Sequence, residues 1–122
     1  MSYQPILLPE NHRQDFAHPK LPLLNDRGDV VLVRDGSYFT NVPRYCDYIS
    51  DRHTWGYLGQ GPTGLAFDTL YRFTRDFDLC CRFSQEFASK IYASLEGDKN
   101  HVIEGSVIEE FIEEKQKTKG GA

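Results

Sequence analysis

The sequence is poor in cysteine, with only Cys46, Cys80 and Cys81 among its 122 residues. Three cysteines cannot all pair within one chain, and two of them are adjacent. This pattern is unlike the disulfide frameworks of small secreted domains. It predicts a protein of a reducing compartment, and we expect a cytoplasmic location.

Long apolar runs are also missing. The apolar stretch Ile6-Leu7-Leu8 is followed at once by Pro9 and Glu10, far short of the length that crosses a bilayer. The N-terminus has neither the basic start nor the sustained apolar stretch of a secretory signal. We therefore expect no membrane partner and no secretory leader.

Basic residues are in the minority, with 14 Lys and Arg against 18 Asp and Glu, for a net charge of −4. Stable binding to duplex DNA requires many cations to displace the counterions of the phosphates. Direct duplex binding is therefore not expected.

Aromatic residues, by contrast, make up 13% of the chain, which argues against a disordered protein. The length fits one domain. Four of the six prolines lie before residue 28, so residues 1–28 are predicted to form an extended arm. Residues 29–114 are predicted to form the domain, and residues 115–122 a flexible tail.

Strand signals predict a small antiparallel sheet. Val30-Val31-Leu32-Val33 and Ser37-Tyr38-Phe39-Thr40 flank Asp35-Gly36, which favours a tight primed turn with positive φ angles. A third short strand, His101-Val102-Ile103, is placed to pair with this hairpin.

Two long helices and a short C-terminal helix are predicted to pack with this sheet, which gives an α+β fold. The first helix is entered at Pro62, and the second is capped by Asp76 or Asp78. The spacing of Ser106 and Glu109 predicts a capping box at the start of the third helix. Apolar spacing defines the buried face of the second helix as Phe77, Cys80, Cys81, Ser84, Phe87, Ala88, Ile91 and Leu95.

A glycine-rich loop precedes the first helix and is the best candidate for a small-molecule or anion site. Gly59, Gly61 and Gly64 match the spacing of a dinucleotide fingerprint, but no buried strand precedes them and Pro62 removes one amide. Packing is the better interpretation of the loop, with Trp55 and Tyr57 lying across the hairpin and both helices. The candidate loop residues are His53, Trp55, Tyr57, Gly59, Gln60 and Gly61.

No catalytic or metal-binding constellation stands out. The cysteines and histidines lack ligand spacing, so neither a metal nor a cofactor is expected. His53 with Asp47 or Asp51 would suit general acid–base chemistry, but such a trio is common on loops. The sequence therefore favours a protein that is not an enzyme.

Acidic residues are concentrated near the C-terminus. Residues 96–114 carry seven acids and a single lysine. An ordinary solvated helix face is one interpretation, and a patch that meets a basic surface on a partner is the other. The interaction candidates are Asp98, Glu104, Glu109, Glu110, Glu113 and Glu114.

The segment Trp55-Gly56-Tyr57-x-Gly59-x-Gly61-Pro62-x-x-Leu65-Ala66 resembles the motif of a small family of unknown function that phages, plasmids and bacteria encode. The resemblance spans residues 29–114 and implies this order of elements and a mobile-element context, without a reaction. We expect a protein-binding module, an inhibitor or modulator of a host nucleic-acid-handling or defence complex of the anti-CRISPR kind. The partner would be a host or phage protein, and the alternative is a ligand or nucleotide sensor that uses the loop 56–64.

Overall fold

The structure is a computed structural model, and it describes Leu7, residues 28–46 and residues 53–120, with side chains to Lys117. Most of the predicted arm, the acid–base candidates Asp47 and Asp51, and residues 121 and 122 lie outside the described residues. Leu7 forms an isolated antiparallel bridge with Cys46.

Three antiparallel strands form one sheet in the order β2-β1-β3. The strands are β1 (Val30–Arg34), β2 (Tyr38–Thr40) and β3 (His101–Ile103). The short third strand pairs with β1 on the side away from β2, with Val31 opposite Val102. The predicted α+β fold and its three-stranded sheet are therefore confirmed.

The turn of the hairpin differs from the prediction. Arg34 pairs with Tyr38, so Asp35, Gly36 and Ser37 make a three-residue loop. Of these, only Gly36 has a positive φ, at 74°. The predicted two-residue primed turn, which needs positive φ at both Asp35 and Gly36, is wrong.

The helices are α1 (Gln60–Thr74), α2 (Phe77–Phe87) and α3 (Gly105–Gly120). A single π turn, Ala88–Tyr92, continues α2. The predicted cap at Asp76 is confirmed, since its carboxylate accepts a hydrogen bond from the amide of Leu79 at 3.0 Å. None of the described helices has both the length and the apolar character that a bilayer crossing requires.

The π turn changes which residues of this helix face the core. Tyr92 is fully buried, whereas the predicted core residue Ile91 is only partly buried. In a π turn the amide of Ala93 reaches the carbonyl of Ala88 (2.8 Å), so each residue turns less about the axis. Tyr92 is thereby directed inward, and its hydroxyl donates to Thr69 Oγ1 at 2.8 Å, which itself donates to the carbonyl of Leu65.

The core lies between α1, α2, the π turn, α3 and one face of the sheet. Val30 and Leu32 of β1 point into it, while Val31 and Val102 are on the other face. The largest fully buried side chains include Trp55, Phe67, Leu65, Leu70, Phe87, Tyr92 and Ile108.

The start of α3 also differs from the prediction. The helix begins at Gly105, so Ser106 lies inside its first turn, and Ser106 Oγ approaches the carboxylate of Glu104 at 3.5 Å. The amide of Gly105 donates to the carboxylate of Asp29 at 2.8 Å. A side chain that is distant in the sequence thus accepts the hydrogen bond at the N-terminus of α3. The predicted capping box of Ser106 and Glu109 is wrong.

The prediction that both adjacent cysteines are buried is half wrong: Cys80 is buried and Cys81 is exposed. Successive residues of a helix point about 100° apart, so one buried neighbour places the other outward. Cys46 is also buried, in the segment before the loop.

This arrangement predicts one fast-reacting thiol in the native protein. Burial raises the pKa of Cys80 to about 12, and burial together with the nearby Asp78 also raises the pKa of Cys81, but only the Cys81 thiol is accessible. We expect Cys81 to be alkylated by iodoacetamide well before Cys46 and Cys80, as mapped by peptide mass spectrometry. Equal labelling of Cys80 and Cys81 in the folded protein would contradict the placement, and a Cys81→Ser control should remove the fast phase.

Candidate functional site

Trp55 is the centre of the glycine loop and is completely buried. Its ring makes an edge-to-face contact with Tyr38 of β2, with centroids 4.9 Å apart. Its buried Nε1–H has no hydrogen-bond acceptor within the described part of the chain. Trp55 therefore links the loop to the sheet through apolar contact.

Gly56 allows the loop to approach the segment after the π turn. Its φ is +96°, and a Cβ atom added there would lie 2.6 Å from the Cα of Gly97. Its amide donates to the carbonyl of Tyr92 at 2.9 Å. The glycine is required by both its conformation and this close approach.

The other loop glycines face protein side chains. A Cβ at Gly61 would overlap with Thr54 Oγ1, which hydrogen-bonds the hydroxyl of Tyr57 at 2.7 Å. The hydroxyl of Thr63 donates to the carbonyl of Gly59 at 2.7 Å. The space beside Gly61 is thus filled by side chains of the protein itself.

The candidate residues of the glycine loop differ in how deeply they are buried. His53 and Trp55 are buried, and Gly61 is buried at the start of α1, whereas Gly59 and Gln60 are exposed. Tyr57 is half-exposed and so lies outside the core in which it was predicted to pack with Trp55. Leu58 beside it is 72% exposed.

His53 is part of a buried polar cluster with Asp68 of α1. The Nε2–H of His53 donates to Asp68 Oδ2 at 2.6 Å, and both side chains are almost fully buried. The amides of Tyr45 and Cys46 donate to Asp68 Oδ1 at 3.0 and 3.1 Å. One carboxylate thus joins α1, the loop and the segment that follows the hairpin.

The sequence reasoning missed Asp68 as the partner of His53. The signal is present: a carboxylate interrupts the apolar stripe of α1 between Phe67 and Thr69. A buried carboxylate has to be paired with donors, but the pattern along α1 does not say which distant donors meet it.

The acidic candidates are not all in one place. Glu104 and Glu109 line a groove of about 470 Å³ together with Asp29, Val102 and Ser106. Among these described lining residues, three are carboxylates and none is a cation. This set is called the acidic groove below.

The remaining acidic candidates lie outside the groove lining. Glu110 and Glu113 are exposed on α3. Glu114 lies 3.7 Å from Lys115, and Asp98 is exposed in the turn before β3.

Lys115 compensates charge at the far end of α3. Its Nζ lies 2.6 Å from a carboxylate oxygen of Glu86 on α2, and Lys90 approaches the same oxygen at 3.2 Å. The hydrogen bond from Lys115 lowers the pKa of Glu86. Toward the start of α3, by contrast, Glu104 and Glu109 form no ion pair with a cation among the described residues.

The model of a family of unknown function, DUF6166, matches residues 23–114. No curated protein and no solved structure gives a significant match. The matched range includes the glycine loop, the pair formed by His53 and Asp68, and the acidic groove. Because the match covers most of the 122 residues, the chain belongs to this family, DUF6166, whose function is unknown.

Proposed function

We propose that the chain is a non-enzymatic protein-binding module whose contact surface is the acidic groove and the solvent face of α3. The observation that carries the proposal is the exposure of apolar side chains beside the carboxylates. Val102 is 60% exposed and lines the groove, and Val107 is 39% exposed on α3. Apolar groups bordered by polar ones are typical of protein contact sites.

The partner is a protein with a basic surface. Glu104 and Glu109 in the groove and Glu110 and Glu113 on α3 are all exposed, so they attract cations and speed the encounter with a basic partner. Proteins that handle nucleic acid carry such surfaces because they bind phosphates. We therefore propose a host or phage protein of this class, in the cytoplasm, with inhibition or modulation of a defence complex as the outcome.

The alternative, a ligand or nucleotide sensor at the glycine loop, has less support. Trp55 is completely buried, and Thr54 fills the space beside Gly61. Pro62, the third residue of α1, lacks the amide that an anion would meet.

A charge reversal tests the proposed surface. The variant Glu104→Lys/Glu109→Lys is expected to weaken capture of a partner from bacterial lysate at low salt by about tenfold, which corresponds to about 1.4 kcal/mol. Capture by the unchanged chain should also decline as salt is raised, since exposed charges are screened. The measurement is quantitative mass spectrometry of the retained protein.

The matched control is Asp78→Lys/Glu96→Lys, which changes the net charge equally at two exposed residues outside the groove. Capture should be nearly unaffected by this control. An equal loss in both variants would show a general charge effect and would contradict the proposed surface, as would full capture by the groove variant.

A further inference from the structure

The outer edge of β3 offers hydrogen-bonding groups at Val102. The backbone carbonyl of Val31 accepts from the amide of Asn41, and the amide of Val31 donates to the Asn41 side chain, so Val31 directs both groups toward the β2 side. In an antiparallel pair the two opposed residues exchange either both bonds or neither. Val102, which is opposite Val31, therefore directs its N–H and C=O away from β1.

A second observation agrees with this direction. The amide of Arg34, three residues on from Val31, points toward the β3 side and donates to the Asn100 side chain at 2.7 Å. Groups along β1 thus alternate between its two neighbours. Among the described strands, β3 pairs only with β1, so no described strand pairs with its other edge.

We propose that this edge takes up an extended segment of the partner as a fourth strand, an inference that rests on the proposed binding function. Strand addition uses backbone hydrogen bonds for affinity and alternate side chains for specificity. Here the incoming residue opposite Val102 exchanges both backbone bonds with it. Its side chain lies against the exposed valine on the face away from the core.

The register also sets the charge of the segment. Continuing the pairing by one residue places Glu104 opposite Asp29, on the same face as Val102, and all three line the acidic groove. An incoming residue two positions from the one opposite Val102 therefore faces carboxylates. The segment carries Lys or Arg two residues from a β-branched apolar residue.

The same charges disfavour a second copy of this chain as the occupant. A second copy paired in parallel would place Glu104 beside its own counterpart, and one paired antiparallel about Val102 would place the neutral Asn100 opposite it, so neither arrangement supplies a cation. Like charges across a strand pair are destabilising, and charge on an edge strand is a common protection against self-association.

Two synthetic peptides of identical composition test the proposal. In Thr-Lys-Thr-Val-Thr-Lys-Thr the lysines and valine share one face, whereas in Thr-Thr-Lys-Val-Lys-Thr-Thr they are on opposite faces. We expect the first peptide to shift the NMR resonances of the Val102 and Glu104 amides and to bind at least about tenfold more tightly than the second. Equal binding of the two peptides would overturn the proposal.

Backbone variants separate strand addition from side-chain contact. Val102→Pro removes the outward N–H and leaves the bonds to β1 intact, since proline is tolerated where an edge donor faces solvent. It is expected to weaken binding of the first peptide by about tenfold, and Val102→Thr, which keeps the donor, by much less. Methylating the valine amide of the peptide should cause a similar loss with the protein unchanged, whether or not the proline variant folds.

The outcomes distinguish this inference from the proposed function. Strand addition is wrong if the two peptides bind equally and methylation of the valine amide has no effect on binding. The proposed binding surface still stands in that case, provided that Glu104→Lys/Glu109→Lys weakens partner capture. If the charge reversal has no effect on capture, the proposed function itself fails.

Discussion

Replacing Gly56 with alanine is expected to lower the free energy of unfolding by about 3–4 kcal/mol. Its φ of +96° is unfavourable for any residue with a Cβ. The new atom would also lie 2.6 Å from the Cα and 2.8 Å from the N of Gly97. Since both contacts are with backbone, one segment has to move, which strains the bond from the Gly56 amide to the carbonyl of Tyr92.

The matched control for this change is Gly36→Ala. Gly36 has a similarly positive φ of +74°, but no atom of the described residues lies within 4 Å of its added Cβ. The free energy of unfolding of this variant should fall by only about 1 kcal/mol, because only the backbone conformation is unfavourable for alanine. Urea unfolding, followed by the fluorescence of the buried Trp55, measures the free energy of unfolding of both variants. Equal losses would contradict the close approach of Gly56 to Gly97.

Replacing Asp68 with alanine is expected to cost about 3–5 kcal/mol of unfolding free energy. The change removes the acceptor of three donors, the buried Nε2–H of His53, the buried amide of Cys46 and the partly buried amide of Tyr45. Asp68→Asn should cost less, because the amide oxygen can still accept from the backbone. Chemical unfolding of the purified variants gives the values.

The control for this change is Asp78→Ala, which removes an exposed carboxylate from α2 and should change stability by about 0.5 kcal/mol or less. A double-mutant cycle with His53→Ala isolates the side-chain pair. Each single change leaves a buried partner unsatisfied. The double variant should therefore lose less unfolding free energy than the sum of the losses in the two single variants. Additive losses would show that His53 and Asp68 do not depend on each other.

Sequence patterns predicted the elements of the fold because each has a local signal. The β-branched run at residues 30–33, the apolar spacing of α1 and α2, and the strand His101–Ile103 were all expected and are all present. The expectation that the chain belongs to a family of unknown function was also confirmed by the family match over residues 23–114. These features depend on residues that are close together in the chain.

Several of the errors involve contacts between residues that are distant in the sequence. The carboxylate of Asp29 accepts a hydrogen bond from the amide of Gly105, 76 residues away in the sequence. The local spacing of Ser106 and Glu109 therefore predicted the wrong start for α3. The bond between Tyr92 and Thr69 accompanies a π turn that regular helical spacing does not anticipate. The partner of His53 was missed for the same reason.

The candidate site was predicted only in part. Glu104 and Glu109 were named from charge density, and the structure brings them together with Asp29 in the acidic groove. The exposure of Val102 was not anticipated, because a valine in a strand is usually expected to be covered. Its side chain is exposed because it lies on the face of the sheet away from the core, on the edge strand β3.

The π turn has a consequence for chain length within the family. A π turn holds one residue more than a regular helical turn over the same arc. A relative that lacks one residue between Phe87 and Tyr92 can therefore form an unbroken α-helix with both aromatic rings still directed inward. A single-residue gap at this point of an alignment marks a change in helix winding and leaves the register of the core aromatics intact.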